Sequence, residues 1–182
     1  MPLLWAVFLG VVLGTLRGGK IGNLGRVRLR GLWLLLPPLA LQLLIFPLGR
    51  GGPLIPWGTP YWHVLSYVFL LAFVARNWRY PEIWGMGLGL LLNFLVISAN
   101  GGYMPASAEA LRRAGQEGVA RALEEGLRTG NTILMSAQTR LNFLGDWLFL
   151  PAWFPLSSAF SVGDVILGIG AALFLYRRMI RP

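Results

Sequence analysis

The chain has 182 residues, 55% of them hydrophobic and only 13% charged, with a mean hydropathy of +0.61 and a formal net charge of +9. Soluble domains carry roughly twice that charged fraction, so the composition excludes an ordinary soluble domain and points to a polytopic membrane protein folded as one bundle. There is no cysteine and a single histidine, His63, which excludes disulfides, thiolate chemistry and a metal site built from several histidines.

Residues 3–16 (LLWAVFLGVVLGTL) form a first apolar segment. No basic residue precedes it and no small-residue cleavage site follows, so it reads as a retained span rather than a signal peptide. Five positive residues then fall within 17–30. Residues 31–48 read as a second span, whose helix is kinked or restarted by Pro37-Pro38. A Gly/Pro-rich loop over 49–60, carrying Arg50, leads to a third span at 61–75 that opens on the interface aromatics Tyr61-Trp62. Arg76 and Arg79 precede a fourth span at 83–98. Gly85, Gly87 and Gly89 in that span, and Gly10 with Gly14 in the first, suit close helix–helix approach. Gln42 and Asn93, polar groups within spans, fit hydrogen bonds between helices. His63 reads as an interfacial hydrogen-bonding residue.

Residues 99–161 are the long connection, expected to form an extracytoplasmic loop subdomain. Asn100-Gly101-Gly102 begins a turn, and 107–127 reads as a surface helix with Glu117–Arg121 and Glu124–Arg128 pairs. Residues 131–146 mix polar and apolar groups too freely to span. Residues 147–156 are apolar, short and proline-rich, as in an interfacial or re-entrant loop. A fifth span at 162–176 ends in Arg177, Arg178 and Arg181. The expectation is an all-α integral membrane fold of about five helices in a single domain, 1–182.

Positive charge concentrates in 17–30, 75–82 and the C-terminal residues. The positive-inside rule then gives an outside N-terminus and a cytoplasmic C-terminus in a bacterial inner membrane. Arginine at the ends of apolar segments argues for lipid headgroups as partners, and against nucleic acid. The only aspartates, Asp146 and Asp164, fall on the outer side.

Two neighbouring carboxylates resist simultaneous ionisation and share a proton, so one serves as general base on water while the other serves as general acid on a carbonyl. The chemistry calls for no cofactor and no metal. A structural reading stands beside it. Ser161-Val162-Gly163-Asp164 ahead of an apolar run is a capping-box pattern, and Asp146 is placed to sit in a turn after Gly145 or to pair with Arg140.

The pattern LGDW…FSVGDVILGIG resembles the C-terminal half of lipoprotein signal peptidase (signal peptidase II). That resemblance implies a catalytic dyad of Asp146 and Asp164 on the outer face, with Phe160-Ser161 and Gly163 at the motif's neighbouring positions. The family usually has four spans, and its Gly-Asn-x-x-Asp-Arg motif is absent, because Gly130-Asn131 is followed by Thr-Ile-Leu-Met. The set SANGGYMP, TRLNFLGDW and FSVGDVILGIG, spread over 98–170, resembles a bacterial family of multi-span membrane proteins of unknown function. It implies architecture and no activity.

Two functions therefore stay open. One is a signal-peptidase-II-like hydrolase that cleaves a peptide bond near the outer interface. Asp146 and Asp164 would be catalytic, Asn100, Arg140 and Trp147 would bind substrate, and a lipid-anchored or membrane peptide would be cleaved. The other is a non-catalytic accessory subunit, assembly factor or lipid-binding protein of a membrane complex. A small-solute transporter fits least, since the spans lack buried charge.

Overall fold

The computed structural model describes residues 2–45 and 57–181. Most of the expected 49–60 loop, Arg50 included, and the end of the second apolar segment lie outside the described residues. The fold is mostly helical, with a helix in each of the five apolar segments. These are α1 (Pro2–Leu16), α2 (Leu36–Ile45), α3 (Thr59–Arg76), α4 (Pro81–Ala99) and, after the loop subdomain, α7 (Val162–Ile180). Among the described residues α4 alone is both long and apolar enough to cross a membrane. The Pro2–Leu16 helix and the helical run Leu32–Ile45 are apolar but shorter.

Proline sets several helix starts. Pro60 and Pro81 stand in the first turns of α3 and α4, where the missing N–H is not needed and the fixed φ suits the helix. Pro37 and Pro38 likewise fall in the first turn of α2, so the pair restarts the helix after a 3-10 turn at Leu32–Leu35.

Glycines set the helix spacing. A Cβ on Gly89 would lie 2.4 Å from the Gly163 carbonyl oxygen, and one on Gly170 would lie 2.5 Å from the Met86 nitrogen, so α4 and α7 touch backbone to backbone in antiparallel order. A Cβ on Gly10 would lie 2.7 Å from the Ala172 oxygen, while one on Gly14 would meet Met179. The helix α1 therefore runs parallel to α7. Large apolar side chains face outward on these helices, among them Leu4 and Phe8 on α1, Trp84, Leu88, Leu91 and Leu95 on α4, and Ile169 and Leu173 on α7.

The two ends of the bundle differ in chemistry. At one end the 17–30 segment is stitched to the end of α3 by Asn77. This side chain donates to the Arg30 carbonyl at 2.8 Å and accepts from the Arg30 amide at 2.7 Å. The C-terminal arginines of α7 meet Glu82 of α4 at the same end.

At the other end sits the loop subdomain. The expected single helix over 107–127 is two helices, α5 (Ala108–Arg113) and α6 (Glu117–Glu124). The break falls at Gly115, whose φ of +76° favours glycine. Glu117 pairs with Arg121 as expected, but Glu124 reaches back across the break to Arg112. Arg128 instead lies over the Tyr103 ring, 4.6 Å from its centroid.

Strands were not expected. β1 (Met104–Ala106) and β2 (Thr132–Leu134) pair in parallel, with α5 and α6 as the crossover. β3 (Leu148–Phe149) and β4 (Ala159–Phe160) pair antiparallel. The subdomain core is Ala106, Leu111, Ala120 and Leu123. A second cluster of Val96, Ile97, Met104 and Leu144, backed by Val64, Tyr67 and Leu92, joins the subdomain to α3 and α4.

Candidate functional site

Asp164 is the third residue of α7 and forms a complete capping box. Its amide donates to Ser161 Oγ at 3.0 Å, and its Oδ2 accepts from the Ser161 amide at 3.0 Å. The opposite carboxylate oxygen, Oδ1, accepts from Asn93 Nδ2 at 2.8 Å. Asn93 Oδ1 in turn accepts the Ser161 hydroxyl at 2.8 Å. Asn93 and Ser161 are both buried, so the ring fixes the carboxylate plane.

Asp146 arrives from the loop subdomain. Its amide donates to the Pro105 carbonyl and its carbonyl accepts from the Ser107 amide, both at 2.9 Å. It therefore lies parallel to β1 as an extra row. The turn before it is pinned at Arg140, whose amide and carbonyl both bond the Asn100 side chain at 2.8 Å. Leu141 follows in the left-handed region, φ 56°, a conformation a bulky residue holds only when its surroundings impose it.

The Asp146 side chain is not tied down in this way. Its Oδ1 is buried, with no hydrogen-bond partner among the described residues. Burial first, and the charge of Asp164 second, push the Asp146 carboxyl up to about 7. The two carboxyl groups thus sense one another, and the Tyr67 phenol of α3 lies within electrostatic range of both. The result is one carboxyl group with both oxygens hydrogen-bonded, within electrostatic range of another that holds a proton near neutrality.

Asp164 also lines a groove of about 510 Å³ between α1 and α7, where Trp5, Leu9, Leu150, Phe154 and Phe160 supply apolar walls and Asp164 is the one ionisable side chain among the described lining residues. Trp5 fixes the mouth by donating to the Pro155 carbonyl at 2.9 Å. Trp147 does not line this groove. It stands over a separate hollow of about 150 Å³ with Glu109, Arg113 and Phe149, and its Nε1 donates to the Phe143 carbonyl.

Asn100 spends its amide on backbone, donating to the Val96 and Arg140 carbonyls and accepting from the Arg140 amide. It serves as a loop anchor. The Arg140 side chain is exposed, and no ion pair joins it to Asp146 among the described residues. The alternative of an Asp146–Arg140 pair is therefore set aside. His63 is buried and bonds the Gly102 carbonyl at 2.7 Å, in keeping with a hydrogen-bonding role.

One neighbour of the pair escapes a reading of the sequence. Tyr67 looks like any aromatic in an apolar helix. Asn93 announces itself as a polar group in a span, but its partners lie 68 and 71 residues away.

The chain belongs to the family of unknown function DUF5317, whose model matches residues 26–176. It is 30% identical over 173 residues to an uncharacterized protein of Thermotoga maritima, covering 92% of this chain and 87% of that protein. No solved structure matches.

Proposed function

From its place in a family without an assigned activity, we propose that the protein is a membrane-embedded hydrolase whose Asp146–Asp164 pair cleaves a peptide bond near the outer interface of the bacterial inner membrane. The observation that carries this reading is the asymmetry of the pair. Asp164 is held by Asn93 and Ser161, while Asp146 has a buried Oδ1 with no partner among the described residues and keeps its proton up to about pH 7.

Embedding is supported by the apolar α4, the shorter apolar helices and the outward rows of Leu, Phe and Trp on α1, α4 and α7. A soluble monomer rarely exposes apolar surface so extensively. With the arginine-rich end inside, both aspartates face out and five crossings follow. The groove between α1 and α7 suits an apolar segment of a lipid-anchored or membrane peptide, with the scissile carbonyl brought to Asp164.

In the reaction, ionised Asp164 accepts a proton from water as the water oxygen bonds to the carbonyl carbon. Protonated Asp146 gives its proton to the carbonyl oxygen. The tetrahedral adduct collapses as the C–N bond breaks and the amine leaves with the proton that Asp164 took. Asp146 recovers its proton from the adduct hydroxyl as the carbonyl re-forms.

A second reading has its own observation. Both oxygens of Asp164 are engaged by the fold, which is the geometry of a helix cap in a non-catalytic membrane protein. Asp146→Asn and Asp164→Asn separate the two. In cells carrying either variant at wild-type membrane levels, mass spectrometry of membrane peptides and lipoprotein precursors should show uncleaved substrate accumulating. Unchanged processing with Asp146→Asn favours the accessory role.

A further inference from the structure

The end of the bundle opposite the aspartates holds a cleft of about 560 Å³ lined by Arg17, Arg177, Arg178 and Arg181 with Glu82. Among the described residues, four guanidinium groups thus line the cleft with one carboxylate. That carboxylate is already spent, since Arg178 contacts Oε1 at 3.0 Å and Oε2 at 2.9 Å while Arg177 donates to Oε1 at 3.2 Å. Among the described residues Arg17 and Arg181 have no acidic partner, and Nε of Arg178 is buried without a hydrogen-bond acceptor. Arg178 also lies over the Tyr80 ring, 4.9 Å from its centroid, so it is fixed from two sides.

Like charges crowded this way repel unless an anion enters, and guanidinium forks match phosphate oxygens. Simple topology signalling requires positive residues only somewhere on this side. It does not require a buried glutamate that orients two of them toward a shared cleft.

A second hollow says what kind of phosphate compound fits. The cleft shares Pro81, Glu82 and Arg177 with an adjoining space of about 200 Å³, which runs along α4 and α7 past Gly85, Ile166, Ile169, Gly170 and Leu173. Its walls away from Glu82 and Arg177 are apolar. A charged pocket opening into an apolar furrow on the outer face of the bundle fits an amphiphile with an anionic head. We infer that this cleft binds the phosphate of an anionic phospholipid, with an acyl chain lying in the furrow between α4 and α7. The inference rests on the membrane-embedded part of the function proposed above and is independent of its hydrolytic chemistry.

The test uses full-length protein in nanodiscs of phosphatidylcholine containing a minor fraction of phosphatidylglycerol, with retained lipid counted by native mass spectrometry after release into detergent. Wild type should keep phosphatidylglycerol in preference to phosphatidylcholine. Arg17→Gln with Arg181→Gln, two exposed side chains without an acidic partner, should lower that retention about tenfold or more, given roughly 1 kcal/mol per basic residue at a lipid surface and the neutral gap left beside Arg178. Lys20→Gln removes a charge at the same end that does not line the cleft, and should lower retention by no more than the about fivefold worth of one surface charge. Leu173→Trp, which fills the furrow and keeps every charge, should release phosphatidylglycerol too.

Inorganic phosphate distinguishes the source. Millimolar phosphate that displaces the lipid completely would show a free-phosphate site and overturn the lipid assignment, and equal retention by Leu173→Trp would take the acyl chain out of the furrow and overturn it too. Equal losses for Lys20→Gln and the double variant would reduce the cleft to diffuse surface charge and overturn it as well. A chain that leaves the membrane fraction without detergent would instead refute the embedding itself.

Discussion

Asn93 donates to Asp164 Oδ1 at 2.8 Å, although 71 residues separate them and they sit on different helices. The same amide accepts the Ser161 hydroxyl, so one side chain closes α4 onto the first turn of α7 and fixes the carboxylate. Removing it leaves a buried hydroxyl and a carboxylate oxygen short of partners. Asn93→Ala should cost about 1–3 kcal/mol, read as a lower unfolding midpoint in detergent. Asn93→Asp should be worse, because it replaces the donor with a second negative charge beside Asp164.

Asp146 gives the pH dependence a definite sign. Its folded pKa, about 7, lies above the ordinary carboxylate value, so the folded state holds the proton more tightly than the unfolded one. This group therefore withdraws stability as pH rises from about 4 to 7 and withdraws no more above that. Asp146→Asn should melt above wild type at pH 8, with the gap narrowing steadily toward pH 4. If Asp146 is the general acid, peptide cleavage falls on the alkaline side with an apparent pKa near 7.

Two glycines should respond in opposite directions to alanine. At Gly163 a Cβ would lie 2.0 Å from Asn93 Oδ1 and 2.9 Å from the Gly89 oxygen. Neither neighbour is free to withdraw, so Gly163→Ala should cost about 3 kcal/mol and disturb the carboxylate as well. Gly118 lies inside α6 with nothing within 4 Å of its would-be Cβ. Gly118→Ala should stabilise the subdomain by about 0.5–1 kcal/mol. Thermal melts of the two variants test the pair.

Asn100 and Arg140 are neighbours with unequal duties. Asn100→Ala deletes three bonds to backbone and should cost about 2 kcal/mol. Arg140→Ala leaves those bonds in place and should stay within about 0.5 kcal/mol. If Asn100 contacted substrate instead, its variant would change KM while leaving the melting point alone.

What a reader of the sequence can see is what local chemistry encodes. Apolar runs locate α1, α3, α4 and α7 to within a few residues, proline opens the first three, and Ser161-x-x-Asp164 announces the capping box of the fourth. The restart at Pro37-Pro38 is legible for the same reason. The number of membrane crossings is not, since length and apolarity single out only α4 among the described helices.

The strand pairs were hidden because each is two or three residues long and is held by partners far along the chain, as when Met104 meets Thr132. The break at Gly115 was half visible. Glycine there weakens a helix, but only the bond from Ala152 N to the Arg113 carbonyl at 2.9 Å and the Glu124–Arg112 pair show that the chain must turn. The aspartates were easy to find as the only two. That one is bound into a cap, while the other has a buried Oδ1 with no partner among the described residues, depends on Asn93, Ser161 and β1, which no local pattern ties together.

The two acids ride on different bodies of the molecule. Asp164 is carried by the helices, and Asp146 hangs from the edge of β1 in the loop subdomain. The seam between those bodies is the Val96, Ile97, Met104 and Leu144 cluster. Proton affinity at Asp146 is thus a gauge of how tightly that seam is closed. A ligand wedged between Trp5 and Phe154, a lipid pressing on α4, or a Leu144→Ala void would each shift the titration without touching either carboxylate.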